Sequence, residues 1–568
     1  MIRIFRNISF LVIPLLIFSS CGRKKVEKCP PPGRFLSEAT RHALQEWQQR
    51  KFSMFIHWGL YSIPAGVWEG KKERGYSEQI QGHARIPKEE YEKLAEQFNP
   101  LHWNPDSVAL LAKRAGMKTI VFTAKHHDGF CMFRTKYTKY NVVDATPYHR
   151  DVVGELAEAC RRHGLKFGVY YSLIDWHYPG ALPFTSTRNS DSIPPKHHRY
   201  NLHQVEELLT RYGPISEIWF DMGSPTPRQS REVRELVKSL QPGCLISGRL
   251  WNDQGDFVVM GDNYRPSFHM GVPWQTPASM FRETWGYRSW QERGDPEEKA
   301  REKLQDLLHV VSMGGNYLLN IGPTGDGRII PFERKVLESM GRWLSRNGEG
   351  VYGTRPVPLI PQSWGVVTAR PEKLYLHILK VPQQGILKVA GLHLRVKKIT
   401  PLSNALHSYV WRVVGDTLLI RPGPTPADTL PKVLCVDIEG SPQYTPEKRI
   451  LPDNSGTILL TAGNAVKYHS LSGHDYYSQR PTVVRMQWRP EIPHDGEYTI
   501  RYAGTPPETY CLIINGQPYP VSSMLKETLL PGIRLEKGNG NLFLLRRRDL
   551  TDPHKGLIRE LQILVRPM

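Results

Sequence analysis

The stretch TIVFTAKHHDGF, residues 119–130, decides the fold because an entirely apolar run stops abruptly at polar residues. Strands that are apolar throughout are buried on both faces, which is typical of a parallel sheet covered by helices. The polar residues that follow are Lys125, His126, His127 and Asp128. In a β/α barrel the active site is built where the strands end, so these four residues are candidates for it.

Five further runs of the same kind lie between about residues 33 and 350: FSMFIHWG (52–59), LKFGVYYS (165–172), ISEIWFD (215–221), CLISGR (244–249) and NYLLNIG (316–322). Amphipathic stretches separate them, such as NPDSVALLAKRAG (104–116) and VVGELAEACRRHG (152–164), and both of these end in glycine, as helices often do. The alternation predicts an α/β fold, a (β/α)8-like barrel over residues 35–350.

The pattern changes after residue 351 to strands in which apolar and polar residues alternate, with proline and glycine between them. KLYLHIL and DTLLIRP fall in residues 351–438, and GEYTIRYAG, YCLIING and NLFLLRRR in residues 439–568. We expect two antiparallel β-sandwich modules after the barrel. The second either binds carbohydrate or only packs against the barrel.

The first residues, MIRIFRNISFLVIPLLIFSSC, contain two arginines, an apolar run too short to span a bilayer, and small residues before Cys21. This layout predicts a secretory signal, and IFSSC resembles a bacterial lipobox. We therefore expect a signal peptide over residues 1–21, lipidation at Cys21, and a linker over residues 22–34. A plain signal peptide is the alternative. Either predicts export to the bacterial cell envelope, and lipidation predicts membrane attachment only through the N-terminal lipid.

The composition excludes some classes of partner. The chain has 75 basic and 55 acidic residues, a formal charge of +20, but the basic residues are scattered among acidic ones. No basic helix or RNA-binding aromatic motif accompanies them, so nucleic acid is not an expected partner. Apart from Cys21, the six cysteines are widely spaced without a CxxC pair, which indicates neither a disulfide framework nor a cysteine zinc site.

Asp221 is the sharpest candidate for chemistry. It closes the run Ile-Trp-Phe, where an isolated carboxylate is unfavourable unless it is used or paired. Aspartate also caps helices, but Gly223, Pro225 and Pro227 separate it from the next helix candidate. We therefore favour a functional role.

The adjacent histidines leave a metal site and a sugar site open. Neighbouring strand residues point to opposite faces, so His126 and His127 share a pocket only if the strand has ended or bulged. Metal-binding barrel hydrolases usually space such histidines by one residue, which counts against a metal. Tryptophans are dense near the strand ends; they either fill the core or provide the flat faces that a sugar needs. Together these features favour a carbohydrate.

The strings FIHWGLYSIPAG, RIPKEEYEKLAEQFNP, KHHDGFCMF, GLKFGVYYS, EIWFDMG and GGNYLLNIGPTGDG together resemble the α-L-fucosidases of glycoside hydrolase family 29, in the same order and across the barrel. The resemblance implies a retaining glycosidase that acts on a fucosylated oligosaccharide or glycoconjugate and needs neither a metal nor another cofactor. It places the nucleophile at Asp221. It places contacts to the sugar at His57, Glu78, His126, His127, Tyr171, Trp219, Arg249 and Trp285, with Tyr170 as the alternative to Tyr171.

The acid/base departs from the family pattern. In PWQTPASMFRETWGY, Gln275 stands where many family members have glutamate, and an amide cannot exchange a proton at useful pH. Glu283 is the nearest replacement, although a carboxylate at that place also suits the start of a helix. Two other functions stay open: a fucose-binding pseudoenzyme, because of Gln275, and a metal-dependent hydrolase using His126, His127 and Asp128.

Overall fold

The computed structural model describes residues 36–185, 191–381, 385–403, 409–421, 430–445, 449–471, 481–504, 509–522, 528–547 and 561–568. The predicted signal peptide, the lipidation site at Cys21 and the linker lie outside the described residues. Within them, no helix is both long and apolar enough to span a membrane.

A parallel sheet of eight strands forms the centre of the described N-terminal part. We number its strands in chain order: β1 Phe52–Ile56, β2 Thr119–Lys125, β3 Lys166–Ser172, β4 Glu217–Asp221, β5 Leu245–Ile246, β6 Val258–Val259, β7 Trp274–Ala278 and β8 Asn316–Ile321. Their spatial order is β5-β4-β3-β2-β1-β8-β7-β6. A parallel bridge between Ser247 and Phe257 joins the two outer strands, so the sheet curls into the predicted barrel. This confirms the fold class.

Six of these strands match the predicted runs, whereas β6 and β7 escaped prediction. β6 has two residues, too few to register as a run. β7 reads WQTPA, and its polar residues and proline hide a strand that is buried throughout. Both strands have buried neighbours on each side, so tertiary packing makes them strands although their own residues favour strand formation only weakly.

Seven helices of ten or more residues are described, and we number them α1 Glu38–Arg50, α2 Pro105–Arg114, α3 Val152–His163, α4 Pro195–Arg211, α5 Pro227–Leu240, α6 Pro296–Ser312 and α7 Pro331–Asn347. Side-chain caps fix several starts. Asp151 accepts a hydrogen bond from the amide of Gly154 at the start of α3, and Thr226 and Gln229 form a capping box on α5. Gly164 ends α3 in the left-handed region at φ 71°.

Shorter helical segments lie in the connections: Leu60–Ser62, Ser77–Gln79, Ile80–His83, Lys88–Tyr91, Glu92–Gln97, Gly248–Leu250 and Gly348–Gly350. Val67–Trp68 and Lys71–Lys72 form a small hairpin. The connection from β5 to β6 has no described helix longer than the three-residue turn Gly248–Leu250. This brings the end of β5 and the start of β6 close together at the rim of the barrel.

The first β-module consists of two antiparallel sheets that share one apolar core, in agreement with the predicted sandwich. Among the described residues, the larger sheet runs Arg355–Pro356, Gly365–Arg370, Lys373–Ile378, Lys432–Tyr444, Leu392–Pro401, and the smaller runs Leu387–Ala390, Thr417–Arg421, Val410–Val414. The strand Lys432–Tyr444 continues beyond residue 438, where the sequence placed the module boundary.

The C-terminal module is a second sandwich with its own core. One described sheet runs Ile458–Thr461, Leu561–Pro567, Gly496–Gly504, Thr528–Leu535; the other runs Gln517–Ser522, Thr509–Ile514, Phe543–Arg547, Thr482–Trp488, Val466–Ser470, His269–Met270. The last of these strands comes from the barrel. Cys131, Cys160, Cys244 and Cys435 are buried free thiols, whereas Cys511 is disulfide-bonded, a bond that the cysteine spacing did not predict.

Candidate active site

Polar side chains at the carboxyl ends of the barrel strands converge on one rim. Asp221 is the last residue of β4, His57 follows β1 directly, and Arg249 lies in the turn Gly248–Leu250 after β5. All three are more than nine-tenths buried. Parallel strands end on the same side of a barrel, so residues far apart in the sequence meet here.

The carboxylate of Asp221 is held between a cation and a phenol. Nη1 of Arg249 donates to Oδ1 at 2.8 Å, and the hydroxyl of Tyr170 donates to Oδ2 at 2.8 Å. Burial raises the pKa of Asp221, but Arg249, His127 and Tyr170 outweigh burial, so the pKa lies below its ordinary value. Asp221 is therefore ionised at neutral pH, as a carboxylate nucleophile must be.

His57 presents a lone pair to the site. Its Nδ1 lies 2.7 Å from Oδ1 of Asn320, whose Nδ2 in turn donates to the carbonyl oxygen of Trp285 at 2.7 Å. Because Oδ1 only accepts, Nδ1 carries the proton and Nε2 is the acceptor. Burial lowers the pKa of His57 to about 3, so the ring is neutral at neutral pH. A neutral ring of this tautomer accepts a hydrogen bond from a hydroxyl group.

His126 and His127 both reach the site because β2 has ended at Lys125. The end of the strand is one of the two conditions, with a bulge, under which adjacent histidines can share a pocket. Their ring centroids are 4.0 Å apart. Nδ1 of His127 lies 2.8 Å from Oγ of Ser172, and this hydroxyl donates its proton to the carbonyl of Ile174, so Nδ1 is the donor. Burial lowers the pKa of His127 to about 4. Its Nε2, 3.9 Å from Oδ2 of Asp221, is then a second acceptor at the rim.

A metal site has no geometric support in the described part of the chain. No cluster of three or more histidine, cysteine or acidic side chains there is arranged to hold an ion. Asp128, the third expected ligand, accepts hydrogen bonds from the hydroxyl of Tyr91 at 2.9 Å and from the amide of Phe130. Burial raises the pKa of Asp128 to about 7.

The structure turns Tyr171, a predicted sugar contact, away from Asp221, and its alternative, Tyr170, contacts that carboxylate. The hydroxyl of Tyr171 lies 2.9 Å from Oδ1 of Asn201 and 2.8 Å from Oε1 of Gln204, both on α4. Successive strand residues point to opposite faces, so Tyr171 packs outward against the helix while Tyr170 points inward to Asp221.

Aromatic rings form the floor and one wall. The guanidinium of Arg249 lies 4.9 Å from the ring centre of Trp219, which is 1% exposed. The ring of Trp285 lies 5.2 Å from that of His57. Trp219 therefore supports Arg249 from below, and Trp285 lines the site beside His57.

Glu78 holds the segment that carries Trp285. Its Oε2 accepts hydrogen bonds from the backbone amides of Trp285 at 3.1 Å and Gly286 at 2.8 Å. Burial raises the pKa of Glu78 to about 7, although these amides favour the charged form. The hydroxyl of Thr284 also donates to Oε2 at 3.4 Å, so all of these contacts are with one loop, and Glu78 positions the wall of the site.

Gln275 lies inside the barrel. It is 0% exposed and its Oε1 accepts a hydrogen bond from Nε1 of Trp219 at 2.9 Å. It is the second residue of β7, three residues before the strand ends at Ala278, and it is enclosed by the barrel. Glutamine at this buried position therefore does not indicate a lost acid and does not support a pseudoenzyme.

Glu283 is exposed, and its backbone carbonyl accepts a hydrogen bond from Arg288. Burial lowers the pKa of Arg288, and the carboxylates of Glu78 and Glu283 oppose that shift without reversing it. No described contact joins Glu283 to Asp221 or Arg249. The structure thus leaves the predicted acid outside the cluster of contacts that surrounds the nucleophile.

Asp262 is the carboxylate that the sequence reasoning missed. Nη2 of Arg249 donates to its Oδ1, while Nη1 of the same guanidinium donates to Asp221. The side chain of Asp262 is 34% exposed, against 12% for Asp221, so it faces the opening of the site. It follows the run FVVM (257–260) after one glycine. The pattern that identified Asp221, a carboxylate closing an apolar run, is weak here because the strand has only two residues and Gly261 separates the run from Asp262.

The chain resembles proteins of known activity over most of its length. The family model described as alpha-L-fucosidase matches residues 34–349. The tissue alpha-L-fucosidase of Bos taurus is 29% identical over 398 residues, which cover 66% of this chain and 84% of the bovine protein.

Two solved structures have the same architecture. An alpha-L-fucosidase of Bacteroides thetaiotaomicron, trapped as a covalent intermediate with 2-fluoro-fucosyl fluoride, is 28% identical, with a TM-score of 0.65, over 73% of this chain and 99% of that one. The alpha-L-fucosidase of Vibrio sp. strain EJY3 is also 28% identical, with a TM-score of 0.66, and the match covers 94% of this chain and 98% of that one.

Proposed function

The chain belongs to the α-L-fucosidase family of glycoside hydrolases, and on that premise we propose that it is a retaining exo-enzyme that releases L-fucose from fucosylated glycans by double displacement. The observation that carries the proposal is the single guanidinium of Arg249 that binds Asp221 and Asp262 together. Retaining glycosidases hold their two carboxyl groups roughly 5–5.5 Å apart, and inverting ones roughly 6.5–9.5 Å. Two carboxylates that bind the same rigid guanidinium lie close together, which favours the shorter separation of a retaining enzyme.

In the first step, the carboxylate of Asp221 attacks the anomeric carbon and the bond to the leaving oxygen breaks. The carboxyl of Asp262 gives its proton to that oxygen. In the second step, Asp262 takes a proton from water, the water oxygen bonds to the anomeric carbon, and the ester bond to Asp221 breaks. The product keeps the α configuration.

Arg249 stabilises a different carboxylate in each of the two steps. It stabilises ionised Asp221 before attack, and it stabilises ionised Asp262 once the latter has lost its proton. Since Asp262 must carry a proton before the first step, substrate binding has to weaken its contact with Nη2. The solvent exposure of Asp262 leaves room for this movement.

The remaining residues bind and orient the sugar. The neutral rings of His57 and His127 accept hydrogen bonds from fucose hydroxyls, with His126 beside them. Trp285 offers a flat apolar face. The covalent intermediate trapped in the Bacteroides relative supports the same course here.

The test compares wild type with Asp221→Ala, Asp262→Asn and Glu283→Gln on two substrates, an aryl α-L-fucoside and a fucosylated oligosaccharide. An aryl leaving group needs little protonation, so loss of the acid harms the oligosaccharide reaction far more. We expect Asp221→Ala to abolish both reactions, and Asp262→Asn to spare cleavage of the aryl fucoside relative to the oligosaccharide. A selective loss in Glu283→Gln instead would return the acid role to Glu283.

Stereochemistry provides the independent control. Proton NMR of the first product formed by the wild type should show the α anomer. With azide present, Asp262→Asn should form α-fucosyl azide and Asp221→Ala its β anomer, because azide replaces water in the first variant and the nucleophile in the second. Initial release of the β anomer by wild type would refute the retaining mechanism.

We also propose that the enzyme is exported and lipidated at Cys21, on the strength of the sequence of residues 1–21. Labelling cells with radioactive palmitate should mark the wild-type chain, and Cys21→Ser should remove the label. A labelled Cys21→Ser chain would place the lipid elsewhere, and an unlabelled wild type would leave only a plain signal peptide.

A further inference from the structure

The loop that carries Asp262 leaves the barrel and joins the sheet of the C-terminal module. It connects β6 to β7, and its residues His269–Met270 form a strand parallel to Val466–Ser470. The register pairs His269 with Tyr468 and Met270 with His469, and the amide of Gly271 donates to the carbonyl of His469 at 2.9 Å. A catalytic loop thus forms the edge strand of a separate module.

The junction is closely packed. The rings of Phe268 and His469 meet edge to face at 5.1 Å, and Met270 is 8% exposed. A Cβ atom added to Gly271 would lie 2.8 Å from Cγ2 of Val484 and 3.2 Å from Cβ of Tyr468. Only glycine therefore lets the loop approach the module this closely.

The module side of the junction is itself firmly held. The guanidinium of Arg485 lies 3.7 Å from the ring centre of Tyr468, whose hydroxyl donates to Oε1 of Gln487 at 3.2 Å. The strand Val466–Ser470 also pairs along its length with Thr482–Trp488. A two-residue strand is not stable alone, so the module supplies the sheet that orders this part of the loop.

The other end of the loop is tied to the barrel. The amide of Asn263 donates to the carbonyl of Pro277 at 2.9 Å, and Oγ1 of Thr276 donates to the carbonyl of Tyr264 at 3.0 Å. Asp262 lies just before this barrel anchor, and Gly271 lies at the module anchor. The loop is therefore held at both ends, with the acid carboxylate at one of them.

We propose that the C-terminal module is a positioning element of the active site: by pairing with His269–Met270 it holds the loop so that Asp262 stays opposite Asp221. This rests on the proposed role of Asp262. Proton transfer requires the acid to be placed within hydrogen-bond reach of the leaving oxygen, and a small displacement of the loop is enough to impair it. Carbohydrate binding by the module stays a separate prediction.

The test alters the junction in the full chain. In Gly271→Ala the added methyl group meets Val484, and in Val484→Phe the same contact is enlarged from the module's side. We expect each variant to lower kcat for a fucosylated oligosaccharide about tenfold while leaving kcat for an aryl fucoside within about twofold. Gly271→Ala combined with Val484→Ala, which removes the Cγ2 atom, should recover most of the loss.

Gly463→Ala is the matched control, because a Cβ at Gly463, in the same module, meets nothing closer than 3.5 Å. It should behave as wild type. Equal losses on both substrates, or no loss in either junction variant, would overturn the positioning role. Asp262→Asn separates the two proposals: if it shows the leaving-group dependence and the junction variants do not, the acid assignment stands and only the positioning role fails.

Discussion

Nη1 of Arg249 donates a hydrogen bond of 2.8 Å to Oδ1 of Asp221, and both side chains are about nine-tenths buried. Burial by itself raises the pKa of Asp221, and Arg249 is the largest of the influences that lower it. The ionised state of the proposed nucleophile therefore depends most strongly on the charge of Arg249.

Replacing Arg249 by glutamine removes that charge and keeps a hydrogen-bond donor. The pKa of Asp221 should then rise, so the acidic limb of the pH profile of kcat/KM should move to higher pH, with at least a tenfold loss at neutral pH. The matched control is Arg234→Gln, since Arg234 pairs with the buried Asp256 and has no described contact with Asp221. An acidic limb that stays in place in Arg249→Gln would show that another group governs it.

Glu78→Gln should change the pH dependence of stability. The pKa of Glu78 in the folded chain is raised to about 7 from its ordinary 4.5, so the folded state binds the proton more tightly than the unfolded state. Its contribution to stability is fully present below about pH 4.5 and is lost as the pH rises through about 7. Glutamine keeps an acceptor for the two amides but does not ionise.

Thermal unfolding between pH 4 and pH 8 measures this. Relative to wild type, the Tm of Glu78→Gln should improve as the pH rises toward 8, because wild type alone buries a charge there. Parallel Tm curves for the two proteins over this range would contradict a raised pKa at Glu78.

Asn320→Ala should weaken sugar binding through His57. The variant removes the acceptor that fixes the proton on Nδ1 and the donor to the carbonyl of Trp285. The loss of one hydrogen bond that orients a ligand group is worth about 1–1.5 kcal/mol, so KM for the aryl fucoside should rise about tenfold. Asn316→Ala, in the same strand but bonded to the carbonyl of Trp47, should leave KM unchanged. If KM rises in both variants, the cause would be a general disturbance of strand β8 and not the lost contact with His57.

Gln275→Glu should destabilise the enzyme without improving catalysis. The new carboxylate would lie in the barrel interior near Glu217, whose pKa burial already raises. We expect a cost on the order of 2–3 kcal/mol at pH 7 that disappears toward pH 4, where the carboxyl is protonated. Urea unfolding at the two pH values measures it. A higher kcat for the oligosaccharide would show that position 275 reaches the substrate.

Chelation should have no effect. Overnight dialysis against EDTA should leave kcat and KM within error, because no group of three or more described histidine, cysteine or acidic side chains is arranged to hold an ion, and Asp128 is hydrogen-bonded to Tyr91. A loss that zinc or another divalent ion restores would reopen the metal-dependent alternative.

Local pattern was enough to predict the long central strands and Asp221. β1 to β4 and β8 are five to seven residues long, mostly apolar and buried throughout or nearly so, and such runs can be recognised from the sequence without knowledge of the neighbouring strands. Asp221 stood out because a carboxylate at the end of such a run needs a reason. Short or polar strands gave no such indication, so β6 and β7 were missed, and Asp262 with them.

The sequence by itself determined that this chain is a barrel with two β-modules and that its chemistry lies at the strand ends, because burial periodicity is a local property of the chain. Only the tertiary structure decided which polar residues act together. Tyr170 and Tyr171 are neighbours in sequence but face opposite sides of β3, whereas Asp221 and Asp262 are far apart and share one guanidinium. The side of a strand to which a side chain points, and the residues that it meets, depend on where strands end and on the paths of the loops. Neither can be read from the spacing of residues in the sequence.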